Sequence, residues 1–75
     1  MAATQNVRSA VAETFEDALL RAKAEYLEMP GMQLTVTQAA RLWHVDRELC
    51  DAVLSALVET RFLVKTRHAL FARAA

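Results

Sequence analysis

Two apolar periodicities separated by only two residues constrain this chain more than any other feature. In TVTQAARLWHVDRELCDAVLSALV, residues 35–58, hydrophobic positions recur at steps of three and four on either side of His44 and Val45. That is the spacing of one buried face on each of two helices. So short a connection forces a sharp crossing rather than an antiparallel hairpin. Both helices carry start signals. Thr35 is followed three residues on by Gln38, so its hydroxyl can accept the amide of the third helical residue while Gln38 reaches back to the Thr35 amide. Asp46 stands directly before Arg47-Glu48-Leu49 and can cap the next helix. The predicted helices cover residues 36–43 and 47–60, with Leu49, Val53 and Leu57 on one buried line and Cys50 and Leu54 beside it.

Upstream, Val7, Val11, Phe15, Ala18, Leu19, Ala22 and Tyr26 share one stripe, and Arg8, Glu13, Glu16, Asp17, Arg21, Glu25 and Glu28 lie on the other side. The pattern predicts a helix over residues 5–28, which Pro30-Gly31 ends. At about 1.5 Å per residue it would be roughly 36 Å long, more than the rest of a small domain can cover. Its N-terminal half around Val7, Val11 and Phe15 is therefore the expected homodimerisation surface; the alternative is a frayed end that folds back on the domain. Met32 and Leu34 alternate around Gln33 and suit a short strand.

The tail alternates differently. Phe62 to Thr66 and Leu70 to Arg73 are two short runs with β-branched and aromatic residues, joined by Arg67-His68-Ala69, and they predict a β-hairpin. A continuous fourth helix is the competing assignment, because the turn has no Gly or Asn to supply positive φ. The expected fold is thus mainly α with a small β-hairpin, one domain over residues 1–75: an N-terminal helix over 1–30 and a core over 32–74. With 75 residues, it sits near the lower size limit for a single hydrophobic core.

From Met32 to Arg73 the chain resembles the winged helix-turn-helix domains of small bacterial transcriptional regulators. In these a short strand leads into Q-A-A-x-x-L, a hydrophobe-rich third helix and a Gly-Phe-Leu strand follow, and a β-hairpin forms the wing. Ala39, Ala40, Trp43, Val45, Cys50 and Val53 match the small and hydrophobic positions that lock the two helices together. The resemblance implies duplex DNA as ligand and regulation of transcription as function. The chain departs from the pattern at three places: His44 stands where the turn commonly has Gly, Arg61 where Gly usually ends the third helix, and the wing tip has no Gly. Each of these residues has to adopt, or avoid, a left-handed conformation that Gly reaches without steric cost.

Charge distribution bears on the same function. The net charge is zero, but residues 1–60 carry five Lys and Arg against nine acids, whereas residues 61–75 carry Arg61, Lys65, Arg67 and Arg73 and no acid. A basic edge on an acidic body can meet phosphate on one side only. Removing the apolar line of the third helix leaves Arg47, Glu48, Asp51, Ala52, Ser55 and Glu59 outward, an acidic face poorly suited to base edges in the major groove. The expected DNA contacts are Arg41, Arg47 and Ser55 on the helices and Lys65, Arg67, His68 and Arg73 in the hairpin, acting mainly on phosphates. A protein-interaction module using the acidic helix faces is the runner-up.

The remaining conspicuous residues read as structural. Trp43 lies on the inner side of its helix, and Cys50 on a buried line, where a small inert thiol is normal. One cysteine forms no intramolecular disulfide, and the N-terminal residues lack the pattern of a secretory signal. No apolar run approaches the ~20 residues of a membrane span, so a cytoplasmic protein without membrane contact is expected. His44, His68 and Cys50 do not share a metal-ligand spacing, and no nucleophile, phosphate loop or isolated carboxylate pair suggests catalysis. Neither a cofactor nor an enzymatic activity is expected.

Overall fold

The computed structural model describes residues 14–74. Among them the chain forms helix α1 (Phe15–Glu28), strand β1 (Gln33–Leu34), helix α2 (Val36–Trp43), helix α3 (Arg47–Glu59) and strands β2 (Leu63–Lys65) and β3 (Phe71–Arg73). The three strands make one antiparallel sheet in the order β1-β3-β2. The tail is therefore a hairpin and not a fourth helix. Leu34 pairs with Phe71 and Gln33 with Ala72 on one side of β3; Leu63, Val64 and Lys65 pair with Arg73, Ala72 and Phe71 on the other.

The two cap signals read from the sequence form as expected. Thr35 and Gln38 make the reciprocal pair: the Gln38 amide donates to Thr35 Oγ1 at 3.1 Å and the Thr35 amide to Gln38 Oε1 at 3.0 Å. One carboxylate oxygen of Asp46 accepts from the amides of Glu48 and Leu49. Each cap satisfies donors that no intrahelical carbonyl can reach, so both helices begin where the side chain dictates.

Within the described residues, the helix predicted over residues 5–28 is seen from Phe15 to Glu28. Thr14 is extended (φ −79, ψ 164) and its hydroxyl accepts the Asp17 amide, so no helix runs unbroken through this position. The cause is a third cap signal, Thr14 with Asp17 three residues on, which favours a helix start over a helix interior at threonine. Val7 and Val11 lie outside the described residues. Phe15, at the start of α1, is 42% exposed.

The core gathers Ala18, Ala22 and Tyr26 from α1, Ala39 and Trp43 from α2, Cys50, Val53, Leu54 and Leu57 from α3, and Leu63 and Phe71 from the hairpin. The alanines of α1 bring its backbone close to α3, and Tyr26 then reaches past α3 to the sheet, where its hydroxyl donates to the Phe71 carbonyl at 2.7 Å. The Trp43 ring meets Tyr26 edge-on, with centroids 6.2 Å apart at 72°, the arrangement that ring quadrupoles prefer. Trp43 is buried as expected. Its carbonyl accepts from the Arg21 guanidinium of α1, and its indole N–H meets no acceptor among the described residues. On the outer side of α1, Leu20 and Leu27 stay about 60% exposed, so the helix is apolar on two sides.

All three places that depart from the family pattern adopt positive φ: His44 at 56°, Arg61 at 68° and Ala69 at 62°. The first two repeat one device. The Val45 amide donates back to Ala40 O and the Phe62 amide to Leu57 O, six-residue closures of the kind that end helices through a left-handed residue. A left-handed conformation costs an L-residue roughly 1–2 kcal/mol, part of which Gly's greater unfolded-state freedom would offset. Replacing Ala69 or Arg61 with Gly is expected to stabilise the fold by on the order of 0.5–1 kcal/mol each. Ala69→Val, β-branched at the same φ, is expected to destabilise it. Urea unfolding followed by circular dichroism measures both signs, and a glycine variant less stable than the parent contradicts the strain assigned to that position.

Candidate functional site

The N-terminal turns of α2 and α3 converge on the hairpin and leave a cleft of about 440 Å³. Thr35, Val36 and Thr37 form one wall, Arg47, Glu48 and Asp51 a second, and Lys65, Ala69 and Phe71 the third. The tight His44-Val45 connection produces this convergence by turning α3 across α2. Two of the residues expected to touch DNA, Arg47 and Lys65, thus meet at one place although they are far apart in sequence. Two carboxylates share it, so the cleft is mixed in charge rather than basic.

Arg47 occupies the first turn of α3, where the helix dipole disfavours a cation by a few tenths of a kcal/mol or more. Helix stability therefore does not explain it, whereas Glu48 beside it suits the dipole. Lys65 Nζ lies 5.5 Å from the centroid of the Phe71 ring, close enough for a cation–π attraction. Its charge is held over the hairpin.

Arg67 and His68 are exposed at the hairpin tip. Thr66 builds the turn that presents them: its hydroxyl accepts the amides of His68 and Leu70, its amide donates to Leu70 O at 2.8 Å, and its carbonyl accepts the Ala69 amide. Thr66 lies just beyond β2 and not in the strand, where the alternating pattern puts it; a threonine before a turn is a known signal for such side-chain closure. Arg73 behaves differently. It is half-buried, its Nη1 donates to Phe62 O at 3.0 Å, and its guanidinium carbon lies 4.2 Å from the Phe62 centroid. It faces the hairpin's foot, away from the tip. Arg41 is exposed on α2 outside the cleft. Arg47, Glu48, Asp51, Ala52, Ser55 and Glu59 are all exposed, so α3 presents the face deduced from its apolar line.

Cys50 is 1% exposed, and its thiol points to Val36 O at 3.8 Å. Burial first, and the Asp51 charge second, push its pKa up to about 11. Burial likewise raises Tyr26 to about 12, with a smaller contribution from Cys50. A thiol so protected is a poor nucleophile. Among the described residues no group of three or more His, Cys, Asp or Glu is arranged to hold a metal ion, and no helix is long and apolar enough to cross a membrane. Comparison with protein-family models, with curated proteins and with solved structures finds no match.

The two raised pKa values predict an alkaline limb of instability. Both groups are neutral when protonated and are held neutral by the fold, so their contribution is complete below about pH 9. It declines as pH rises, first through Cys50 up to about pH 11 and then through Tyr26 up to about pH 12. Urea midpoints measured from pH 8 to 11 are expected to fall, and Cys50→Ala is expected to flatten the part between pH 9 and 10. A pH-independent midpoint contradicts the burial of both groups.

Proposed function

We propose that the chain is a small winged helix-turn-helix protein that binds duplex DNA and regulates transcription, holding phosphates through its hairpin and the start of α3. The observation that carries the reading is the meeting of Arg47 and Lys65 at one cleft, beside a hairpin tip that exposes Arg67 and His68. The element order agrees with it: a short strand precedes the helix pair, and the hairpin returns to pair with that strand. Affinity in this reading comes from counterion release at phosphates. Base readout is slight, because Glu48, Asp51 and Glu59 line the exposed face of α3 and acids there meet only the cytosine amino group favourably. The protein is proposed to be cytoplasmic, to catalyse no reaction and to need no cofactor. A second copy pairing through α1, where Phe15 is exposed, doubles the phosphate contacts without new readout.

A second reading is favoured by the same acidic face: a winged helix that docks a basic protein through α3. The two readings part on charge. Titrating the protein into a fluorescent mixed-sequence duplex at low and moderate salt, with its mass in solution measured alongside, is expected to give salt-sensitive binding by a dimer. Lys65→Gln together with Arg67→Gln is expected to weaken that binding on the order of tenfold, to a similar extent for unrelated sequences, and to make the salt dependence shallower by about two phosphates. Absence of binding at low salt overturns the DNA reading and turns the acidic face into the surface to test against basic partners.

A further inference from the structure

Arg67 and His68 are exposed at the tip of the hairpin, and a second set of cations gathers at its foot. Phe62, directly before β2, is held from three sides: its amide donates to Leu57 O, and its carbonyl accepts both the Ala74 amide and Arg73 Nη1. Two cations from different elements sit against its ring. Arg73 Cζ of β3 lies 4.2 Å from the centroid and Lys23 Nζ of α1 lies 5.4 Å from it. Their separation is therefore at most about one Debye length at 0.1 M salt (~10 Å), so the two charges repel. Arg61, next in sequence to Phe62, is exposed and held at positive φ.

Helical spacing offers Lys23 no ion pair. The residues three and four away from Lys23 on α1 are Leu19, Leu20, Tyr26 and Leu27, so no carboxylate can form a helical ion pair with it. Arg73 stands opposite Leu63 across the sheet. The nearest acids in sequence are Glu25, two residues after Lys23, and Glu59, two residues before Arg61. Two cations against one aromatic ring, with the exposed Arg61 next to it in sequence, make a positively charged patch suited to a polyanion. From Phe62 to Thr66 the strand rises about 13 Å at roughly 3.3 Å per residue, so foot and tip are near enough to engage one sugar-phosphate backbone together.

We propose that Lys23, Arg61 and Arg73 form a second phosphate contact at the foot of the hairpin, so that one DNA backbone follows β2 from foot to tip. This rests on the DNA reading above and extends it by naming the path of the strand and two residues outside the previous set, Lys23 and Arg61. The contact is to phosphate and carries no base specificity.

Duplex affinity measured by anisotropy from 50 to 200 mM salt tests it, with wild type, a foot variant (Lys23→Gln with Arg61→Gln) and the tip variant (Lys65→Gln with Arg67→Gln) compared. The foot variant is expected to bind about tenfold more weakly, with a log–log salt slope shallower by roughly 0.9 for each of two lost phosphates. Lys23→Arg with Arg61→Lys keeps the charges and is expected to restore both values. Arg61→Gln alone, on an exposed turn, is expected to lower the slope by about one phosphate contact with the circular dichroism spectrum unchanged. If wild type and tip variant differ but the foot variant matches wild type in affinity and slope, the foot contact is overturned and the DNA reading stands. If wild type does not bind duplex at all, the DNA reading falls, and this contact with it. A foot variant that loses single-stranded but not duplex binding also overturns the proposed path.

Discussion

The arrangement of the sheet against the helices depends on one buried hydrogen bond, from the Tyr26 hydroxyl to the Phe71 carbonyl. Strand β3 is the middle strand and pairs with both neighbours, so a bond that holds β3 holds β1 and the hairpin as well. The bond also sets the cleft, since Phe71 and Lys65 pair directly across the sheet and both line it. Apolar packing alone is non-directional and leaves the tilt of so short a sheet poorly defined. A phenol that must find its acceptor in a dry interior supplies direction, because leaving its buried hydroxyl unpaired there costs about 1–3 kcal/mol.

Around that anchor the charge is divided by element. The exposed face of α3 carries Glu48, Asp51 and Glu59, while cations occupy both ends of the hairpin. A chain with zero net charge thereby acquires a surface that attracts a polyanion along one edge and repels it from the adjoining helix. Under the DNA reading this orients the duplex without any base contact. On that reading the acids of α3 would act as a fence that keeps the helix from settling fully into a groove, in keeping with the repulsive elements through which interfaces reject wrong poses.

Much of the fold was legible in local signals. Thr35 with Gln38 and Asp46 before Leu49 are self-contained instructions, each completed within three residues, and the helices start where they say. The outward face of α3 followed from subtracting its apolar line. The start of α1 was missed because the apolar stripe continues upstream of Thr14 and outweighed its cap signal with Asp17. Leu20 and Leu27 were missed for a related reason: a helix with apolar residues on two sides yields one stripe to a periodicity search, and the second is left among the acids. The site was less legible. That Arg47 would meet Lys65, or that Lys23 and Arg73 would share Phe62, depends on crossings between elements distant in sequence, and no spacing encodes them. The three left-handed residues were recognisable as an open question only because side chains stood where glycine is the easy solution; which way each would resolve depended on closures such as Phe62 to Leu57.

The aromatic rings of the hairpin do more than fill the core. Phe62 and Phe71 each hold cationic side chains against their faces, Lys23 and Arg73 on one and Lys65 on the other. A free lysine or arginine on a surface samples many rotamers and loses up to about 2 kcal/mol of that freedom when a ligand fixes it. Where a ring has already narrowed the sampling, much of the loss occurs during folding and not at the moment of encounter. Under the DNA reading, these side chains would meet a phosphate in a nearly settled geometry, and the selectivity of the hairpin would come from the spacing of its charges and less from their number.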